Sequence, residues 1–166
     1  VKRPALLAAA VVIGCALLGA LCGVGWWLWW KPAPSGVVYQ HHAFFMPDEE
    51  FRATGLYVAI AAPVGLLLGV LGTWRLRRDP LLAVLVLVAG AVAGGAVMLL
   101  AGRLLEPASA LALARHAKDG AAIHASLRVD FGPAWCAMPF AAVVGCLGVL
   151  LSIDPHAARE MASQRS

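Results

Sequence analysis

The chain has 166 residues and a formal net charge of +4; 61% of the residues are hydrophobic and only 13% charged, against roughly a quarter charged in a soluble domain. A water-soluble globule cannot hide that much apolar surface, which excludes the ordinary soluble enzyme and binding folds. The surplus positive charge lies in short segments beside apolar runs, which suits anionic lipid and gives no reason to expect nucleic-acid binding.

Lys2 and Arg3 precede an apolar run over 5–30. A secretory signal opens the same way, but its apolar part spans about 7–15 residues. Here the run is longer and ends in Trp26, Trp27, Trp29 and Trp30, with Pro32 and Pro34 beyond, which offers no small-residue cleavage site. An uncleaved anchor is expected. Val1 in place of Met fits either a missing start or a GTG-initiated frame. Three further runs, 56–74, 81–102 and 133–153, also lack Asp, Glu, Lys, Arg and His. Each is close to or above the about 20 residues that a helix needs to cross a bilayer. The expected fold is an all-α membrane protein, a four-transmembrane-helix bundle forming one domain over 1–166.

Between the first and second runs, residues 31–55 hold His41, His42, Asp48, Glu49 and Glu50, and 36–45 is rich in Val, Tyr and Phe, which suggests a strand. Between the second and third lie only residues 75–80. That length predicts a tight antiparallel helix hairpin, with Pro80 starting the next helix where its missing N–H costs least. Between the third and fourth, 103–132 begins with a predicted short helix over 107–118, ended by the turn pair Asp119-Gly120. Ile123, Ala125, Leu127, Val129 and Phe131 then alternate with His124, Ser126, Arg128 and Asp130, the period of a half-buried strand. The two predicted strands are expected to pair into a small sheet that, with the short helix, caps one end of the bundle.

Orientation follows from Lys and Arg density. Lys2, Arg3, Arg75, Arg77, Arg78, Arg159 and Arg165 crowd short segments, whereas Lys31, Arg52, Arg103, Arg115, Lys118 and Arg128 are spread over two long loops and offset there by six acids. Both termini and 75–80 are therefore expected in the cytoplasm, with 31–55 and 103–132 outside a plasma membrane. Trp26, Trp27, Trp29, Trp30, Tyr57 and Trp135 would then mark the outer interface, and Trp74 with Arg75, Arg77 and Arg78 the inner one. Gly19/Gly23, Gly65/Gly69 and Gly90/Gly94 place small residues four apart in three of the spans, the spacing that lets membrane helices approach closely.

The tryptophan-ended first helix, the stretches GVVYQHHAFF (36–45) and PDEEF (47–51), and AAIHASLRVDFGP (121–133) before the last span together resemble a family of four-helix membrane proteins from high-GC actinobacteria. That family is catalogued only as a domain of unknown function. The resemblance covers most of the chain and implies a plasma-membrane location and four helices; it brings no activity, cofactor or catalytic residue.

Imidazole and carboxylate side chains at His41, His42, Asp48, Glu49, His116 and His124 are the types that hold zinc. Their spacing matches neither HExxH nor a helical His pair, so a solvated loop is expected and no metal or other cofactor is implied. Cys15, Cys22, Cys136 and Cys146 all fall in spans one and four and form no CxxC; buried Cys behaves as a small apolar residue. A Cys22–Cys136 bridge is thinkable only if those two helices are neighbours. Pro63 and Pro139 each withdraw a backbone N–H, a loss that membrane helices tolerate. The runs hold no ionisable side chain, which speaks against a stand-alone pump or ion-coupled carrier.

The reading that fits best is a non-enzymatic accessory or assembly subunit of a larger cell-envelope membrane complex, meeting a membrane-protein partner through helices or outer loops. Lipid or hydrophobic-substrate handling through an outer-leaflet groove is the alternative. A metal-dependent enzyme on the outer face comes third.

Overall fold

The computed structural model describes residues 2–31, 33–76, 80–106, 109–129 and 132–153. Helix α1 (Lys2–Trp30) leads through Ala33 and Pro34 into a hairpin of β1 (Ser35–Tyr39) and β2 (His42–Phe44). Helices α2 (Pro47–Arg75) and α3 (Pro80–Leu105) follow, then the short α4 (Ala110–Ala114), β3 (Ala122–His124), a 3-10 turn (Gly132–Cys136) and α5 (Ala137–Ile153). Four of these helices are long and apolar enough to cross a membrane, which makes the chain a multi-pass membrane protein. Their outward surface agrees, since Leu6, Leu21, Leu81 and Phe140 are all at least two-thirds exposed where a water-facing helix would carry charge.

The bundle is built from two parallel helix pairs, and neither pair is consecutive in the chain. Cys15 of α1 lies against Gly90 and Gly94 of α3, Gly23 against Met98 and Ala101, and Trp26 against Gly102, so the two helices run in the same direction. In the same way Gly65 of α2 meets Met138 of α5, and Gly69 meets Ala142 and Cys146. Helices that are apolar all round gain little from hydrophobic burial in lipid; close van der Waals contact decides which faces meet. Along α2, Ala53, Tyr57, Ala61, Gly65, Gly69 and Thr73 recur every fourth residue and are all buried, forming one narrow stripe of mostly small side chains. The α2–α3 contact, expected to be a tight hairpin, is looser; it includes Gly72 against the side chain of Leu87. The two pairs converge at Gly94 and Gly95, which are approached by Cys15 from α1, Tyr57 from α2 and Met138 from α5.

One end of the bundle carries the cap, a three-stranded antiparallel sheet of order β2-β1-β3. Two expectations need correction here. The stretch 36–45 is not one strand but most of a hairpin, because Gln40 and His41 both take left-handed backbone (φ 49° and 62°) and close a two-residue turn. The second strand pairs over only three residues, since β1 starts after Pro34 and the last bond runs from the Ala125 N–H to the Pro34 carbonyl at 2.8 Å. The period-two burial nonetheless continues: Ile123, Ala125, Leu127 and Val129 are buried, and His124 and Arg128 are exposed. Phe131 lies outside the described residues. The predicted helix over 107–118 is confined to α4, where the Ser109 hydroxyl accepts from the Ala112 N–H at 3.1 Å. Gly120 (φ 84°) makes the turn into β3, donating its N–H to the Val38 carbonyl at 2.8 Å.

This alternating segment joins two cores. Ile123 packs with Val38 of β1 and Ala114 of α4 inside the cap, while Ala125, Leu127 and Val129 belong to the bundle core with Trp26 and Trp30. At the near end α2 begins at Pro47, so residues 47–55, expected as loop, are helical.

Candidate functional site

A cleft of about 700 Å³ opens where the cap meets the bundle, lined by Trp27, Lys31, Ala33, Leu105, Glu106 and His124. Three parts of the chain supply it. The end of α1 brings Trp27 and Lys31, one turn apart. The end of α3 brings Leu105 and Glu106, held by the Glu106 N–H donating to the Gly102 carbonyl at 3.2 Å. His124 comes from β3, set by its pairing with Ser35.

The Lys31 Nζ sits over the Trp27 ring, 3.9 Å from its centroid, the geometry of a cation–π contact. Among the described residues it forms no ion pair with Glu106, and the Glu106 carboxylate accepts no hydrogen bond from another side chain. Partial burial pushes the Glu106 carboxyl above its ordinary range, opposed by the positive charge of Lys31 and the nearby His124. A cation and an anion thus share one cleft without neutralising each other by contact, beside the Trp27 indole and Leu105. His124 also borders a smaller cleft of about 430 Å³ with Leu113, His116 and Ala117.

The second feature of the cap is the face of its sheet turned away from the cap core. Val37, Tyr39 and Phe44 project there and are 55%, 59% and 55% exposed. The register sets Val37 opposite Phe44, and Tyr39 meets Phe44 edge-on with ring centroids 6.1 Å apart. Alternation explains the split, because Val38 points to the other face and is buried.

The imidazoles are dispersed. His41 is at the hairpin tip and His42 pairs with Tyr39, whereas His124 pairs with Ser35 at the other end of β1, roughly 13 Å along the strand at 3.3 Å per residue. His116 and His124 share a cleft. The side chains of Asp48 and Glu49 lie outside the described residues, and among those described no three of His, Cys, Asp and Glu gather closely enough to hold a metal ion.

A Cβ added at Gly19, Gly23, Gly65, Gly69, Gly90 or Gly94 would run into the partner helix in every case. Of the tryptophans, Trp29, Trp74 and Trp135 are exposed, but Trp26 and Trp30 turn inward and are buried, so their rings pack against protein instead of lipid. Tyr57 likewise faces the centre of the bundle and not the interface, its hydroxyl buried without a hydrogen-bond partner. Arg75 is exposed; Arg77 and Arg78 lie outside the described residues. All four cysteines are free thiols: Cys15 packs on Gly90, and the Cys146 thiol approaches the Gly69 carbonyl at 3.7 Å. Pro63 lies within an unbroken α2, whereas Pro139 follows the 3-10 turn at the start of α5.

Lys31, Glu106 and Trp27 as a group escape a reading of the sequence, because they are brought together from positions far apart in the chain and no local spacing relates them. No family model, curated protein or solved structure matches the chain.

Proposed function

We propose that this protein is an accessory or assembly subunit of a larger plasma-membrane complex, with no catalysis of its own, related to the actinobacterial four-helix proteins it resembles. Both termini lie in the cytoplasm and the cap lies outside, where it meets a membrane-protein partner. The observation that carries this reading is the exposed Val37–Tyr39–Phe44 face. A sheet with one face already packed has no need of aromatic residues on the other, and a contiguous apolar patch rimmed by polar groups marks an interaction surface. Edge strands β2 and β3 add unpaired backbone on either side.

The test is site-specific photocrosslinking in cells. A photoreactive residue at Tyr39 should give one discrete adduct, and Phe44→Asp should abolish it while the protein still inserts. The reading fails if Tyr39 yields no adduct and the protein purifies after mild solubilisation as a lone monomer. Orientation is checked separately: on a background without the four native cysteines, a cysteine at Gln40 or Lys118 reacts with an impermeant thiol reagent in intact cells. Labelling at Arg77 instead inverts the topology.

Lipid handling is the second reading, favoured by the cleft at Lys31 and Glu106. The metal-dependent enzyme gains nothing from the placement of His41, His42, His116 and His124.

A further inference from the structure

The cleft between the ends of α1 and α3 combines features that the subunit reading leaves unused. It holds a lysine, a half-buried glutamate and a histidine, with no direct ion pair between the first two. Its apolar lining is the Trp27 indole and Leu105, and the neighbouring Leu28 and Leu104 on the same two helix ends are 59% and 70% exposed. The site therefore sits at the ends of two spans, where charged groups adjoin exposed apolar side chains.

We propose that this cleft binds one phospholipid with a zwitterionic headgroup, its phosphodiester taken by Lys31 and His124 and its primary ammonium by Glu106, with the acyl chains lying along Leu105 and the exposed leucines of α1 and α3. Two charges of opposite sign call for a ligand carrying both, since an anion alone leaves Glu106 opposing it and a cation alone leaves Lys31 opposing it. A carboxylate and a primary ammonium form charge-assisted hydrogen bonds, stronger than neutral ones. Ethanolamine is favoured over choline for a specific reason: a quaternary ammonium is recognised on an aromatic face, and the Trp27 face is already covered by the Lys31 Nζ at 3.9 Å. A trimethylammonium also has no N–H to give Glu106. The raised affinity of Glu106 for protons, caused first by burial and only opposed by the charges of Lys31 and His124, agrees with a carboxylate that has no cation in direct contact until a ligand supplies one.

The proposal is tested on the full chain in detergent by native mass spectrometry, with phosphatidylethanolamine or phosphatidylcholine of matched acyl chains. Wild-type protein should retain one phosphatidylethanolamine at roughly tenfold lower lipid concentration than phosphatidylcholine, the scale of one charged hydrogen bond. Glu106→Gln should bring the two lipids within about twofold of each other. Lys31→Gln should weaken both together and keep their ratio, because the phosphate is common to both. General misfolding would abolish retention and ratio alike in both variants, so the split pattern separates the site from a folding defect. Soluble glycerophosphoethanolamine should compete poorly; competition equal to the lipid's would assign the site to a water-soluble ligand and overturn the lipid proposal. Equal retention of the two lipids by the wild type, or a preference that survives Glu106→Gln, overturns the headgroup assignment.

Discussion

The Trp26 indole meets the Tyr57 ring edge-on, with centroids 5.5 Å apart and planes inclined at 68°, and its Nε1–H donates to the Ala53 carbonyl at 3.0 Å. These contacts tie the end of α1 to the start of α2 and so join the two parallel helix pairs beneath the cap. The two residues differ in how they are satisfied. Trp26 spends its only donor on α2, while the Tyr57 hydroxyl is buried with no partner.

Removing that hydroxyl should therefore cost nothing. Tyr57→Phe is expected to leave thermal stability in detergent unchanged or to raise it by about 1 kcal/mol, since an unsatisfied buried group is a penalty. Tyr57→Ala leaves a cavity and should cost about 3 kcal/mol or more. A clear loss in Tyr57→Phe would mean the hydroxyl has a bound partner.

The packing glycines make a graded prediction. At Gly69 a new Cβ meets the Ala142 carbonyl, whereas at Gly14 and Gly148 it meets nothing within 4 Å. Gly69→Ala should destabilise by roughly 1–3 kcal/mol, and Gly14→Ala and Gly148→Ala by less than about 0.5 kcal/mol. Unfolding of the three variants in one detergent would settle the ordering; equal effects would contradict the α2–α5 contact.

Gln40 and His41 hold left-handed backbone that glycine and asparagine adopt more readily. Replacing the pair with Asn-Gly should stabilise the hairpin by about 1 kcal/mol, at the low end of the cost of such backbone. Slower amide exchange at His42, paired with Tyr39 across the turn, is the readout, and unchanged exchange would argue against the turn.

Leu127 is buried beside Gly102 and Trp26, while Phe44 is exposed. Leu127→Asp should loosen the cap and expose the cap to protease while the four spans still insert. Phe44→Asp should leave protease resistance intact. If the two behave alike, the division into a packed and an open cap surface is wrong.

Glu106 carries a pH signature. Burial raises its folded-state value above the unfolded one, so its contribution to stability is fully present below the unfolded value and is lost as pH rises through the folded one. Glu106→Gln, which cannot ionise, should thus match wild type in acid and exceed it towards neutral pH. A gap that widens in acid instead would reverse the assigned sign.

Much of this architecture is local and could be read from residue order alone. The spans are runs without charge, and the length of hydrocarbon to be crossed leaves them one use. Burial on alternate residues from Ile123 to Val129 follows from extended backbone whether or not a ladder forms. Other features depend on contacts between distant residues. Helices that are apolar on every side carry no contrast of apolar and polar faces to say which neighbour each will choose, so the pairing of α1 with α3 and α2 with α5 rests on which rows of small residues fit which backbones. The strand expected over 36–45 turns at Gln40-His41, a pair with no glycine or asparagine to announce it. Trp26, Trp30 and Tyr57 look like interface residues by position along the chain, yet helix rotation within the bundle points them inward. Lys31 and Glu106 become one site only because α1 and α3 run parallel and end at the same level, which no spacing in the sequence encodes.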